Sequence, residues 1–399
     1  MLSVHLALVV VAWGIALAWL LKMVEAAVGL RRVPNLLANE YDVAVEGEPS
    51  LAVIVPARNE AAGVRACVES LVGQDYARLR VIAVDDRSTD GTGAILDKLA
   101  AARGGRLEVL HVQTLPGGWL GKTHAMALAV RRAMEKDGCE YLLFTDGDVV
   151  FRVDAVRRAL AMACAEEADH LVVLPTTVVK TWGEGMLLAY LQVMAVWVVR
   201  IWRVADAKAG RDALGVGAFN LMRAESYKEL GGFEAMPMEI VEDLTLGRRV
   251  KNAGLRQQVA IAPGMICVHW AAGVRGILNG MTKNVFAVFR FRAGMLVLAA
   301  AAIAVACLGP VGFLAVPGMR GAGLVALLSV AGLYALLRRT NRISPVYAAL
   351  FPIAAALVVG TMLRSMATAV WRGGVDWRGT FYSLAELRDH AERKVGGSR

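Results

Sequence analysis

Cysteine is scarce and scattered. The five residues Cys67, Cys139, Cys164, Cys267 and Cys307 form no CxxC pair and no metal-finger spacing. That excludes a disulfide framework and fits a chain kept in a reducing compartment. Charge is thin as well: Asp, Glu, Lys and Arg make up 20% of 399 residues, and no run of five or six like charges occurs. Nucleic acid is therefore not an expected partner. The phosphate-loop fingerprints are missing too, since there is no Walker sequence and Gly215-Val216-Gly217 lacks the third glycine of GxGxxG. The first apolar stretch has no basic segment ahead of it and no clear small-residue cleavage site, which excludes a secretory signal peptide.

What is present is apolar. Hydrophobic residues make up 57% of the chain and the mean hydropathy is +0.49, too high for an ordinary soluble protein and far from a disordered one. Lys and Arg number 44 against 35 Asp and Glu, a dispersed balance of +9. Such a balance suits a protein held against anionic lipid, or one that handles anionic substrates.

The apolar excess lies at the ends. Residues 1–21 carry one titratable side chain, His5, and at ~1.5 Å per residue they match the ~30 Å hydrocarbon core. Lys22, Arg31 and Arg32 follow, so the stretch is expected to be a transmembrane anchor with its N-terminus outside, and 22–50 a linker. Stretches 293–316, 321–337 and 346–363 predict about three further transmembrane or re-entrant helices, with Gly309-Pro310 marking a candidate break. Arg290, Arg292, Arg338, Arg339 and Arg342 place the central body in the cytosol by the positive-inside rule. Arg364, Arg372, Arg378 and Arg388 then fall on the other side, so the rule leaves the basic tail, 364–399, unassigned. Between Lys180 and Arg203, residues 185–199 are uncharged and ringed by Trp182, Trp197 and Trp202. They read as an interfacial helix within 185–204, a buried core helix being the competing reading.

Between 51 and 268, short apolar runs at 51–55, 80–84, 107–112, 141–145 and 170–174 alternate with helical patterns. The expectation is an α/β domain, 51–292, with a mostly parallel sheet and ligands at the carboxyl ends of its strands. Polar clusters follow the strands. Pro56-Ala57-Arg58-Asn59-Glu60 ends the first, Asn59 and Glu60 also serving as plain helix caps. Asp85 and Asp86 end the second and, as adjacent like charges, call for an outside partner. Thr145-Asp146-Gly147-Asp148 offers two carboxylates to one hard cation such as Mg²⁺ or Mn²⁺, although the same residues make ordinary turns. Gly117-Gly118-Trp119-Leu120-Gly121-Lys122 opens a helix and could meet a phosphate. Glu242-Asp243 precede a helix, with Asp243 a candidate N-cap.

Taken in order and spacing, PARNE, VDDRSTDGT, GWLGK, TDGD, GVGAFNLMR and VEDLTLG resemble the family 2 glycosyltransferases of the GT-A fold. With the terminal apolar stretches the resemblance extends to membrane-bound members such as the ceramide glucosyltransferase, hopanoid-associated and carotenoid glycosyltransferase groups. It implies a Rossmann-like, mostly parallel catalytic sheet flanked by transmembrane helices, a UDP- or GDP-sugar donor, a lipid acceptor, and Mn²⁺ or Mg²⁺. By motif, Pro56, Ala57, Arg58, Glu60, Asp85 and Asp86 line the nucleoside pocket and Lys122 lies near the donor base or diphosphate. Asp146 and Asp148 match the metal-binding DxD, Asp148 as direct ligand. Asp243, with Glu242, matches the catalytic base pair, and Gly217 borders the sugar. His269 stands where some members add a metal or diphosphate ligand, while a lone histidine is also an ordinary structural residue. The Q-x-x-R-W of processive synthases is replaced by Gly280-Met281-Thr282-Lys283-Asn284. Single inverting transfer is therefore the primary reading. A processive polysaccharide synthase and a non-catalytic scaffold or transporter are the alternatives.

Overall fold

A strand covered on both faces shows as an unbroken apolar run. Residues Leu51–Ala57 (β1) are such a run, buried at all seven positions. The computed structural model describes residues 2–135, 138–377 and 380–388. After helix α1 (Leu2–Gly29) and β1 come α2 (Val64–Val72), β2 (Leu79–Asp86), α3 (Thr92–Arg103), β3 (Leu107–Val112), α4 (Gly121–Glu135) and β4 (Tyr141–Phe144). Next are β5 (Val149–Phe151), α5 (Ala155–Ala165), β6 (His170–Leu174), β7 (Thr176–Thr177) and α6 (Trp182–Val198). The series continues with β8 (Asn220–Arg223), α7 (Ala224–Glu229), α8 (Glu242–Asn252), β9 (Gln257–Ile261) and β10 (Ile266–Val268). Helices α9 (Gly273–Val288), α10 (Ala293–Phe313), α11 (Arg320–Asn341) and α12 (Phe351–Arg372) follow, then the hairpin β11 (Gly374–Trp377) and β12 (Thr380–Ser383).

Two units emerge. One comprises Arg32–Val178 and Ile201–His269, and the other Met1–Arg31, Val179–Arg200 and Trp270–Arg399. The first is the α/β body. Its seven-stranded sheet runs β3-β2-β1-β4-β8-β6-β9. The β3-β2-β1-β4 half is parallel, β8 is antiparallel to both its neighbours, and β6 pairs with β9 in parallel. The mixed, mostly parallel sheet expected from the alternating pattern is present. A second sheet, β5-β10-β7, was not legible, because strands of two or three residues carry no period. One core, including Val53, Leu71 and Leu160, fills the side of α2, α3 and α5; the other, including Ile54, Met126, Leu142, Met222 and Leu246, fills the side of α4, α7 and α8.

The second unit is helical. Among the described residues five helices are long and apolar enough to cross a membrane: Val4–Arg32, Trp182–Arg203, Ala293–Phe313, Arg320–Asn341 and Pro345–Arg372. Helix α10 runs on through Pro310. Residues 364–372, counted with the basic tail, continue α12, while Arg378 and 389–399 lie outside the described residues. Helix α6 is grouped here, with Thr181 and Glu184 forming a capping box at its start. Glu184, 1% exposed, also accepts from Gly273 N at 2.7 Å, so one carboxylate closes the N-termini of α6 and α9. Where water is absent, polar groups must find partners inside. Accordingly Trp19 Nε1 donates to Ala306 O at 3.0 Å, Gln192 pairs with Asn341, and Lys22 lies 5.1 Å over the Trp197 ring. Ser365 enters the ladder of α9, donating to Thr282 O at 2.7 Å and accepting from Phe286 N at 3.2 Å.

Candidate active site

The first two polar clusters are laced together. Asn59 holds a left-handed backbone (φ 55°), and its side-chain oxygen accepts from Thr89 N at 2.8 Å. In return Asn59 N, Glu60 N and Ala61 N donate to Ser88 Oγ, Thr92 Oγ1 and Asp90 Oδ2 at 3.0, 2.9 and 3.0 Å. Neither Asn59 nor Glu60 is a helix cap, because α2 starts at Val64 behind Gly63. The call for an outside partner at Asp85 and Asp86 is also corrected: consecutive strand residues point to opposite faces, and each finds its partner within the chain. Asp86, 3% exposed, accepts from Arg87 Nε at 2.8 Å and Nη2 at 3.1 Å, with Arg58 Nη1 3.6 Å away. Asp85 accepts from Ser88 N at 3.2 Å and lies 3.2 Å from His111 Nδ1. His111 Nε2 is 2.9 Å from Asp97, and the bonds to Asp97 and Asp85 raise its pKa against the opposing effect of burial.

The turn after β4 packs into the same corner. A Cβ on Gly147 would stand 3.6 Å from Glu60 Cγ, 3.7 Å from Ala57 Cβ and 3.7 Å from Pro56 O, and one on Gly63 3.2 Å from Asp148 Cβ. Sheet register brings in His269. Val149 pairs with Val268 across antiparallel β5 and β10, and Asp148 and His269 are the residues that flank this pair just outside the two strands. The Cys67 thiol donates to Asp146 O at 3.5 Å, and burial, then the Asp148 charge, push its pKa up.

The Asp146 side chain meets a different partner. Its Oδ1 is 2.6 Å from Lys122 Nζ, and the same ammonium is 2.6 Å from Glu242 Oε1. Lys122, from the first turn of α4, thus stands between the aspartate turn and the first residue of α8. Burial works against its charge, but Asp146, Glu242 and Asp243 outweigh burial and the pKa rises.

Asp243 is not the N-cap of α8, since Val241 holds that place. Its Oδ1 accepts from Leu244 N at 2.7 Å and its Oδ2 from Gly217 N at 2.9 Å. Glycine is required at 217 by close approach: a Cβ there would stand 2.5 Å from Asp146 Oδ2. A Cβ on Gly215 would strike the Asp243 carbonyl. Burial, then the charge of Glu242, push the Asp243 carboxyl up to about 7, while Lys122 and the Leu244 amide pull it down. A carboxylate so placed is poised to take a proton near neutrality.

These groups line one cleft. Lys122, Thr145, Asp146, Gly217, Asn220, Glu242 and Asp243 form its polar side, and Met126, Phe144, Phe233 and Leu246 its apolar side. Phe233 is held there by the turn before it, its N–H donating to Tyr227 Oη at 2.9 Å. Of the residues singled out in the sequence, the structure brings Lys122, Asp146, Gly217, Glu242 and Asp243 into this cleft. Pro56, Ala57, Glu60, Asp148 and His269 share the neighbouring corner, while Arg58, Asp85 and Asp86 lie along the end of β2. Among the described residues no group of three His, Cys, Asp or Glu side chains is set to hold a metal ion alone. Trp119 packs edge-on against His124 at 5.6 Å. Sequence reasoning missed Met126, Leu246, His170 and Gln257. Only His170 left a trace, as a lone polar residue heading the apolar run His170–Leu174.

A strand-end cleft with acidic turns and a buried ammonium sits on a mixed, mostly parallel α/β sheet like that of the GT-A fold. Residues 52–231, somewhat less than half of the chain, match the model of Glycosyl transferase family 2. The 4,4'-diaponeurosporenoate glycosyltransferase of Staphylococcus aureus strain bovine RF122 / ET3-1 is 27% identical over 238 residues, 59% of this chain and 60% of the relative. That of strain MRSA252 is 27% identical over 240 residues with the same shares. The match thus spans about 60% of the relatives' length. Among solved structures, a mannosyltransferase from Pyrobaculum calidifontis, determined with GDP-Man and Mn²⁺, aligns with TM-score 0.47 at 17% identity, covering 90% of this chain and 99% of that one. TarS 1-349 from Staphylococcus aureus aligns with TM-score 0.40 at 16% identity, covering 84% and 96%.

Proposed function

We propose that the protein is an inverting, metal-dependent glycosyltransferase that moves a single hexose from a UDP- or GDP-sugar to the hydroxyl of a lipid or lipid-linked acceptor at a membrane. The observation that carries this reading is the Asp243 carboxylate, pinned by the Gly217 and Leu244 amides in one cleft with Lys122, Asp146 and Glu242. In this reading Asp243 takes the proton of the acceptor hydroxyl as it attacks the sugar from the face opposite the leaving diphosphate. Burial, and after it the Glu242 charge, keep the Asp243 pKa high enough for that proton to be accepted near neutral pH, and Lys122 balances the carboxylates around it. Pro56, Ala57, Arg58, Glu60, Asp85 and Asp86 line the nucleoside side, where Arg58 and Arg87 already neutralise Asp86.

Mn²⁺ or Mg²⁺, when bound, would neutralise charge on the leaving diphosphate. Asp148 and His269, which flank the Val149–Val268 pair of β5 and β10, would be its protein ligands. An oxygen and a nitrogen donor suit Mn²⁺ in particular, with substrate oxygens completing the shell. Five apolar helices, and relatives named for a carotenoid acceptor, support a lipid acceptor. The basic residues behind α1 and before α10 support a multi-pass protein of the bacterial inner membrane with its catalytic domain in the cytoplasm.

Membranes containing the protein, incubated with radiolabelled UDP- and GDP-sugars with and without Mn²⁺ or Mg²⁺ and then extracted for lipid, test the reading. The expected result is one labelled lipid product carrying one sugar, formed from one donor and only with metal. No lipid-soluble label from any donor would overturn it, and label in chains of many sugars would favour a processive synthase.

A further inference from the structure

We propose that the buried residues His170, Asn220 and Gln257 form a positioning network that locks the 214–217 loop against helix α8 and thereby sets the Asp243 carboxylate for proton abstraction. The inference rests on the general-base reading of Asp243. The three residues are 0%, 3% and 2% exposed. They share one sheet face, because His170 pairs with Gln257 across β6 and β9, and Val172, one pleat further on, pairs with Asn220 across β6 and β8.

Backbone groups fix the direction of every bond. Leu214 N–H donates to Gln257 Oε1 at 3.1 Å, so the amide nitrogen is the atom that meets Leu214 O at 2.9 Å, Gly247 O at 3.2 Å and His170 Nδ1 at 2.8 Å. Its two hydrogens are shared among three acceptors. His170 Nδ1 is then an acceptor, the ring proton sits on Nε2, and Nε2 donates to Asn220 Oδ1 at 3.2 Å. The same oxygen accepts from Val216 N at 3.3 Å. Burial pulls the His170 pKa down to about 4, which keeps the ring neutral and its tautomer single.

The network therefore holds Leu214 and Val216, the residues on either side of Gly215, together with Gly247 one turn along α8 from Asp243. The two segments are pressed into each other: a Cβ on Gly215 would strike the Asp243 carbonyl, and one on Gly247 the Leu214 carbonyl. Gly217 N–H, next in the loop, is the donor to Asp243 Oδ2. Glu242, Lys122 and Asp146 supply the charges facing Asp243. The network adds none, so it acts on geometry, and a misplacement of about 1 Å at a catalytic group lowers the rate on the order of 10²-fold.

The test compares His170→Leu, which removes both bonds, with His170→Gln, which can accept from Gln257 and donate to Asn220, and with Gln257→Met. For His170→Leu and Gln257→Met, kcat is expected to fall about 10- to 100-fold with donor KM within about twofold. His170→Gln is expected to recover most of kcat. Amide hydrogen exchange at 214–217 should quicken in the first two variants and return toward wild type in His170→Gln. If His170→Leu keeps wild-type kcat and exchange, or if donor KM rises in step with the loss of kcat, the network proposal falls. A wild-type protein that transfers no sugar would instead overturn the general-base reading, while the exchange comparison still judges the packing. Should His170→Leu fail to fold, the Gln257→Met comparison decides.

Discussion

Lys122 Nζ lies 2.6 Å from Glu242 Oε1, which joins the opening turn of α4 to the first residue of α8. The same ammonium holds Asp146 at 2.6 Å. One side chain thus ties two acidic motifs separated by nearly a hundred residues, and among the described residues it is the only positive group that lines the cleft.

Replacement of Lys122 by Met leaves Asp146, Glu242 and Asp243 facing one another without a counter-charge. Lys122 lowers the Asp243 pKa, so its loss moves that pKa further up and shifts the acidic limb of the kcat profile toward alkaline pH. Turnover at pH 7 is expected to drop by about 10²- to 10³-fold. Lys122→Arg should not restore it, because a planar fork cannot take the place of a compact ammonium. A pH–rate series on both variants checks this, and an unmoved limb would contradict it.

Asp243→Asn separates catalysis from stability. As the general base, Asp243 predicts a fall of about 10²- to 10⁴-fold in kcat. Its folded pKa, near 7, is above the ordinary 3.8, so the stability it contributes is complete below about 4 and is lost as pH rises toward 7. The Asn variant should therefore melt at a higher temperature than wild type at pH 8, with the gap closing near pH 4. Thermal unfolding across that range provides the measurement.

Gly217→Ala places a methyl group 2.5 Å from Asp146 Oδ2 and moves the N–H that donates to Asp243. The expected outcome is at least about a tenfold loss of kcat at little change in melting temperature, since a local shift at a catalytic contact disturbs geometry before it disturbs the fold. Gly280→Ala, where a Cβ meets nothing within 4 Å, is the control.

Metal dependence should follow Asp148 and His269 together. Chelation by EDTA is expected to stop transfer, and Mn²⁺ to restore it. Asp148→Ala should abolish the response, and His269→Ala should raise the Mn²⁺ concentration for half-activity by about 10- to 100-fold, the range for disturbed metal shells. Mn²⁺ binding followed by electron paramagnetic resonance reads the same loss without turnover. Full Mn²⁺ affinity in the double variant would remove both residues from the metal site.

Much of the arrangement was legible. The alternation of β1, α2, β2, α3, β3, α4 and β4 showed as apolar runs and helical spacing, because buried parallel strands must be apolar throughout. The apolar ends announced helices at 2–29 and 293–372, although α1 proved longer than the expected anchor. Strands of two or three residues, such as β5, β7 and β10, are too short to show a period.

The acidic turns after β2 and β4 were marked as carboxylates at the ends of apolar strands, while Glu242-Asp243 was marked by its place before a helix and by the resemblance to family motifs. Which carboxylate meets which cation was not. Lys122 chose Asp146 and Glu242, and Asp86 was claimed by Arg87 and Arg58. Residue types and local periods are carried by neighbours in the chain. The ion pairs of Lys122 and the tautomer of His170 arise from groups tens to more than a hundred residues apart, whose distances exist only once the sheet has closed.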